Sequence, residues 1–220
     1  VRSVYHFEVA VHLSRMFHLA QDFYWYNPSR LPTPAEWVTV RRVRVKDAVN
    51  TVWWFSKSEN PTADNRRVLQ PYSESMKALI KNGYKAKMRP SGHDISDKFG
   101  RDNGGAIPPN LLTIANTESN SAYLRLCREM EIKPHPARFP AKLVEFFVDF
   151  LLEDKPRLIL DPFGGSNVTG SVAEQRGHRW VSFEMKDEYI RGSMLRFLEG
   201  PLFADPKLRS IVTGATNPTE

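Results

Sequence analysis

Cysteine is almost absent from this 220-residue chain: Cys127 stands alone. A single thiol excludes an intrachain disulfide framework and a multi-cysteine zinc site, and it suits a reducing compartment. Long apolar runs are missing too. No stretch approaches the ~20 apolar residues of a membrane span. Val1–Ala20 interleaves His, Arg and Glu with its apolar residues and does not read as a secretory signal. The expectation is a cytoplasmic protein without a membrane part, from a prokaryotic or phage-like setting. The chain opens on valine, so a segment of a longer protein is expected. Two phosphate-binding signatures are also lacking, G-x-G-x-x-G and Gly-Lys-Ser/Thr. Internal repeats and coiled-coil heptads are absent.

What is there is ordinary in bulk. Hydrophobic residues make up 41% and charged residues 25%, which fits one large globular domain, or one with an insert. The net charge of +6 is compatible with a polyanionic partner. Its distribution is more informative. Between Lys57 and Arg101 stand ten basic residues against five acidic ones, so this stretch holds most of the excess.

Helical spacing of apolar residues predicts a helix over Val4–Ala20. Asp22–Tyr26 and Thr51–Ser56 read as strands. Asn27–Trp37, with three prolines, reads as a loop. Val38–Lys46 alternates, with Val43 and Val45 opposed to Arg42, Arg44 and Lys46, as either a strand or an extended loop. From Lys57 to Pro109 the composition turns polar, basic and rich in breakers, with one helix over Tyr72–Asn82 stopped by Gly83. A loop-rich insert of that length is functional or disordered. Regular structure then resumes. A strand is expected at Leu111–Ala115, a helix at Ser121–Met130 capped by Ser119 or Asn120, and a helix at Pro140–Leu152. Strand Arg157–Leu160, a turn Asp161–Ser166, helix Asn167–Arg176, strand Arg179–Phe183 and helix Asp187–Leu198 complete the pattern. The tail after Pro201 reads as frayed.

Arg157–Glu184 is a strand–turn–helix–strand unit, which implies parallel strands. Gly164 and Gly165 permit a tight bend and close approach of a ligand, and the next helix aims its amide-rich N-terminus there. Glu184 lies 20 residues after Gly164, the spacing at which an acid accepts hydrogen bonds from ribose hydroxyls. Glycines at strand–helix turns are common in α/β proteins. Glycines and a spaced acid together point to a nucleoside without phosphates.

The turn Asp161-Pro162-Phe163-Gly164-Gly165-Ser166-Asn167-Val168-Thr169-Gly170 resembles the D-P-F-x-G-S-G-T-T motif of DNA amino-methyltransferases. His135-Pro136-Ala137-Arg138-Phe139-Pro140 is similar to that family's cofactor-closing motif. Arg179–Glu184, Tyr189, Asp22–Trp25 and Val52–Lys57 extend the likeness over most of the chain outside Glu59–Pro109. The resemblance implies a three-layer α/β sandwich, a Rossmann-like methyltransferase fold around a mixed, mostly parallel sheet, and S-adenosylmethionine as cofactor. Asp161, Phe163, Gly164, Gly165, Ser166 and Asn167 would line its pocket, with Phe163 near the sulfonium. Glu184 would hold the ribose, and His135, Arg138, Phe139 and Pro140 would close the pocket. Asn167 stands where the family usually has Gly, so weakened rather than lost binding is expected.

The motif order resembles the family's β arrangement. On that reading residues 1–58 belong to the catalytic half, 59–109 form the target-recognition insert, 110–200 the cofactor half and 201–220 a tail. The implied function is methyl transfer to an exocyclic amine in duplex DNA, with cytosine N4 preferred to adenine N6, beside a cognate restriction nuclease or in an orphan system. The family's (S/D/N)-P-P-(Y/F/W) motif, which holds the amine and stacks on the flipped base, has no match in these 220 residues. It is expected upstream of Val1, and the chain alone is expected to be inactive. A non-catalytic DNA- or partner-binding remnant and a methyltransferase acting on RNA or protein stay open as alternatives.

Arg66, Arg67, Lys77, Lys81, Lys85, Lys87 and Arg89 are candidates for phosphate and base-edge contacts. Arg42 and Arg44, with Arg41 and Lys46, form a second candidate stripe. The competing reading of each group is a solvated polar face. His12 and His18 lack a companion acid at metal spacing and read as helix surface or packing, so no metal site is expected. His93-Asp94 reads as a surface pair. Trp25, Trp37, Trp53 and Trp54 read as core aromatics, with Tyr24 or Trp25 as an alternative neighbour of the target base. Cys127 reads as buried.

Overall fold

The computed structural model describes residues 3–83, 87–88, 94–95, 100–117 and 121–198, with the single positions 206, 210, 212 and 214. Helix α1 (Tyr5–Ser14) leads into strands β1 (His18–Tyr26) and β2 (Val49–Ser56). Helix α2 (Glu74–Asn82) follows, then the short strands β3 (Lys87–Met88) and β4 (Asp94–Ile95) and strand β5 (Leu111–Thr113). Helices α3 (Ala122–Glu129) and α4 (Ala141–Leu151), strand β6 (Leu158–Asp161), helix α5 (Val168–Gln175), strand β7 (Arg179–Ser182) and helix α6 (Asp187–Ser193) complete the order. Contacts divide the chain into two units, Val1–Ala63 with Leu111–Glu220, and Asp64–Asn110.

In the larger unit β1 lies between an antiparallel β2 and a parallel β5, and β6 pairs in parallel with β7. Helix α4 serves both ladders because it is apolar on two sides. Leu143, Phe146, Phe147 and Phe150 close on Phe23 of β1 and Leu112 of β5, with the Phe23 ring edge-on to Phe147 at 5.1 Å. Val148 and Val144 meet Val168 and Val172 of α5 and Ile159 of β6. A separate cluster joins α3 to the 3-10 turn Met194–Phe197 through Tyr123, Leu126, Cys127, Leu195 and Leu198. Burial raises the Cys127 thiol above its ordinary range, in keeping with a structural cysteine.

Four local expectations change. Helix α1 ends at Ser14, and His18–Ala20 open β1 instead, with His18 opposite Ser56 and Leu19 opposite Phe55. Phe17 and Leu19 fit both periods, and ladder pairing with β2 decides between them. Residues Glu36–Val40 form a π turn and Arg42 takes φ 55°, so Val38–Lys46 neither alternates nor pairs, and Val43 and Val45 are both exposed. The cap of α3 is Ser121, whose hydroxyl accepts from the Leu124 amide; Ser119 and Asn120 lie outside the described residues. The expected last helix tightens into the 3-10 turn after Ser193.

The smaller unit is held by polar and backbone contacts. Asp64 caps a 3-10 turn at Asn65–Val68, and Ser73 caps α2. Gly83, at φ 78°, ends α2 as expected. Gln70 and Ala106 exchange backbone hydrogen bonds of 2.9 and 2.8 Å, and the Asn103 amide donates to the Tyr72 hydroxyl at 2.8 Å. Among its described residues only Gly105 is buried; a Cβ there would sit 2.8 Å from the Gln70 carbonyl oxygen.

Candidate nucleoside site

The bend after β6 is fixed by its own side chains. The Asp161 carboxylate accepts from the Phe163 amide at 3.0 Å and from the Thr169 hydroxyl at 2.6 Å. The Gly164 amide donates to the Phe183 carbonyl at 2.7 Å, tying the bend to the chain just past β7. Any side chain at 164 would collide with Ser182, whose Oγ lies 2.0 Å from the Cβ position. Gly165 and Asn167 both take φ 53°, the left-handed region that Gly enters freely and Asn tolerates. The Asn167 side chain accepts from the Gly170 amide at 3.0 Å and so caps α5.

Glu184 reaches back to this bend. Its Oε2 accepts from the Gly165 amide and its Oε1 from the Lys186 amide, each at 3.0 Å. The Lys186 amide bond first, then the Gly165 bond, hold the Glu184 carboxyl below the usual carboxylate range against the opposing effect of burial. Beside it opens a cavity of about 450 Å³ bounded by Gly165, Glu184, Trp180, Ile190, Met194 and Phe197. The walls are mostly apolar and Glu184 is the acid at the rim. A purine-sized ring suits such walls, and the lone pairs left on the carboxylate suit sugar hydroxyls. A second cavity, about 360 Å³, is lined by Tyr123, Ser171, Gln175 and Arg196 among others. It touches neither the glycines nor Glu184, whereas Gly165 and Glu184 both border the first.

Arg196 is a member of this region that the sequence reading missed. Its Nε donates to the Ser166 carbonyl at 2.5 Å and its Nη2 to the Ser166 hydroxyl at 3.0 Å. The guanidinium lies 4.3 Å from the Tyr123 ring centre. The available signal was a lone arginine between Leu195 and Leu198, both buried, where a charge needs a partner.

The expected pocket residues divide. Gly165, Asn167 and Glu184 border the cavity. Ser166 is buried and engaged with Arg196. Phe163 is 88% exposed and does not line the cavity, so the expected aromatic neighbour of a sulfonium is not part of its wall. His135 stands over the bend, 3.3 Å from where a Gly165 Cβ would lie, with its ring 4.4 Å from that of Tyr189. Arg138 donates to the His135 carbonyl and braces the loop. Pro140 is buried as the cap of α4, and Phe139 is partly exposed.

Four of the basic candidates, Arg41, Arg44, Arg66 and Lys77, are committed to nearby acids. Arg44 pairs with Asp47 at 2.9 Å, Arg66 with Asp64 at 2.6 Å and Lys77 with Glu74 at 2.6 Å. The Arg66 bond holds the Asp64 carboxyl down to about 2. Arg41 pairs with Glu36 and lies over Trp37, and Lys46 donates to the Pro28 and Arg30 carbonyls. Arg42, Arg67 and Lys81 are exposed. The side chains of Lys85, Lys87, Arg89 and His93 lie outside the described residues. The Trp25 indole donates to the Ile114 carbonyl at 2.9 Å inside the β1–β5–α4 core, so Trp25 belongs to the packing. Trp54 joins the same core, whereas Trp37 lies outside the core clusters. Tyr24 is partly exposed and donates to Asp22 at 2.5 Å. No helix among the described residues is long and apolar enough to cross a membrane.

A glycine bend between parallel strands, a helix N-terminus behind it and an acid closing onto it define a nucleoside-binding α/β protein of the Rossmann-like class. Residues 5–195 match the DNA methylase family of N6 and N4 methyltransferases, and the chain belongs to it. It is 54% identical over 98% of its length to the Type II methyltransferase M.PvuII of Proteus hauseri, and covers 65% of that protein. The solved PvuII DNA methyltransferase (cytosine-N4-specific) superposes with a TM-score of 0.74 at 44% identity, over 98% of this chain and 65% of that one. The chain thus spans a little under two thirds of these relatives. The M1.HpyAVI–SAM complex, at 15% identity and a TM-score of 0.50 over 90% of this chain and 71% of that one, shares the fold.

Proposed function

We propose that this chain is the methyl-donor-binding and DNA-recognition portion of an enzyme that methylates an exocyclic amine in duplex DNA, cytosine N4 in preference to adenine N6. The observation that carries the reading is the Glu184 carboxylate, held against the Gly165 amide at the mouth of an apolar cavity. S-adenosylmethionine, when bound, supplies an electrophilic methyl group. Glu184 would hold the ribose hydroxyls, Trp180, Ile190 and Phe197 would enclose the base, and His135 would cover the bend. Unit Asp64–Asn110 would contact DNA through Arg67 and Lys81, with Lys85, Lys87 and Arg89. The cytosine preference is supported by the cytosine-N4 specificity of the PvuII DNA methyltransferase. We place the protein in the cytoplasm, beside a cognate restriction nuclease.

Calorimetric titration of the 220-residue chain with S-adenosylmethionine tests the pocket. Glu184→Ala should weaken binding at least about tenfold, or ~1.4 kcal/mol; equal affinity removes Glu184 from the site. Because these 220 residues contain no P-P-aromatic motif, the chain alone should transfer no radiolabelled methyl to duplex DNA. Incorporation would overturn that part of the reading. The missing motif also favours a second reading, a DNA-binding module without catalysis. That module would shift duplex DNA in a gel yet show no affinity for the donor.

A further inference from the structure

Residues 134–139, which carry His135 over the glycine bend, form neither helix nor strand, so hydrogen bonds to other elements set where they lie. The His135 ring is face-on to Gly165: its Cε1, Nδ1 and Nε2 atoms are 3.3, 3.3 and 3.4 Å from the position a Cβ would take. Nδ1 donates to the Ala137 carbonyl at 2.7 Å, because a carbonyl can only accept. The His135 amide donates to the Tyr123 hydroxyl at 3.2 Å, which ties the start of the loop to α3. The far end is tied by Asn116. Its Nδ2 donates to the Arg138 carbonyl at 2.7 Å, and the Arg138 guanidinium passes that hold back to the His135 carbonyl.

Asn116 is held in turn by Asn27. Strands β1 and β5 run parallel, and their last paired residues are Tyr26 and Thr113, so both asparagines stand just past the same end of the sheet. Asn27 is 6% exposed. Its Oδ1 accepts from the Ser29 amide at 3.1 Å, the Ser29 hydroxyl at 2.7 Å and the Asn116 amide at 3.2 Å. A buried carbonyl oxygen on which three donors converge is fixed in orientation. We infer that Asn116 is a positioning residue for the donor site, acting through the Arg138 carbonyl on the His135 ring, and that Asn27 orients Asn116. Asn116 is exposed and does not border the cavity beside Glu184. Any effect it has on the bend therefore passes through the His135 loop. The inference rests on the nucleoside reading of the bend for donor affinity, and on geometry alone for the placement of the ring.

The test compares the 220-residue chain with Asn116→Asp, which keeps the size of the side chain but sets a carboxylate oxygen against the Arg138 carbonyl. Two quantities are read: hydrogen exchange of the Gly165 amide without donor, and affinity for S-adenosylmethionine by calorimetry. The Gly165 amide donates to Glu184 beside the His135 ring. In Asn116→Asp it should exchange about fivefold faster or more, while the Phe23 and Leu112 amides and the melting temperature stay as they were. Donor affinity should fall about five- to tenfold, the worth of one hydrogen bond. Asn116→Gln, which keeps the amide donor on a longer arm, should recover part of both losses. In a His135→Ala background Asn116→Asp should weaken the donor less than about twofold, because the ring it positions is gone. An equal loss of affinity in both backgrounds, or unchanged exchange at Gly165, would overturn the inference. If Asn116→Asp fails to fold, Asn116→Ala takes its place with the same readouts. If the unsubstituted chain binds no donor, the nucleoside reading fails, and the exchange comparison by itself decides whether Asn116 positions the ring.

Discussion

Replacing Gly170 by alanine should destabilise the chain as it stands and stabilise it once Asn167 has been replaced by glycine. A Cβ at 170 lies 2.4 Å from Asn167 Oδ1 and 2.8 Å from its Cγ and Nδ2, so the asparagine side chain must leave its place. That loses the cap on α5, about 1 kcal/mol, and displaces an amide at a residue only 4% exposed, roughly 1–2 kcal/mol more. Against this stands the helix-interior gain of alanine over glycine, at most ~1 kcal/mol. The net expectation is a loss of about 1–2 kcal/mol. In an Asn167→Gly background the obstructing side chain is gone, and glycine accepts φ 53° without strain. There Gly170→Ala should gain ~0.5–1 kcal/mol. The coupling between the two sites is then about 2 kcal/mol, measured as a double-mutant cycle by urea denaturation. Additivity within ~0.5 kcal/mol would refute the capping argument.

Arg196→Ala should cost about 2–3 kcal/mol by removing two bonds to Ser166 and the contact with Tyr123. It should also weaken donor binding, and Arg196→Lys should restore little, because an ammonium cannot span the Ser166 carbonyl and hydroxyl as a fork does. Wild-type denaturation and affinity in Arg196→Ala would remove its positioning role. Glu184 has a folded-state pKa below its unfolded one, so its contribution is present above the unfolded value and is lost as pH falls through the folded value. The Gly165 amide resonance and the donor affinity should therefore change together, at a pH below the usual carboxylate range. A Glu184 midpoint at or above that range contradicts the hydrogen-bonding account.

Much of the site was readable because its chemistry is local. The Asp161–Gly170 bend, the spacing to Glu184 and the Gly83 stop are set by a few residues close in sequence, and their residue types carry the geometry. Asn167, which stands where the family usually has Gly, takes the left-handed angle that Asn tolerates. The misreadings share a different cause. Whether His18–Ala20 continue a helix or open a strand depends on Phe55 and Ser56 of β2, far off in sequence. Arg196 meets Ser166 across 30 positions, a contact that no local pattern encodes. Val38–Lys46 alternates in sequence, but no strand among the described residues pairs with it, and the chain turns at Glu36–Val40 and again at Arg42.

Arg44, Arg66 and Lys77 already face Asp47, Asp64 and Glu74 at salt-bridge distance. A cation with a carboxylate neighbour exchanges one anion for another when it meets a phosphate, and the carboxylate it leaves takes up a cation from solution, so the net release of ions is smaller. Affinity for DNA would then fall less steeply with added salt than the tally of lysines and arginines suggests, and the selectivity of contact would lean on the few cations whose surroundings hold no acid.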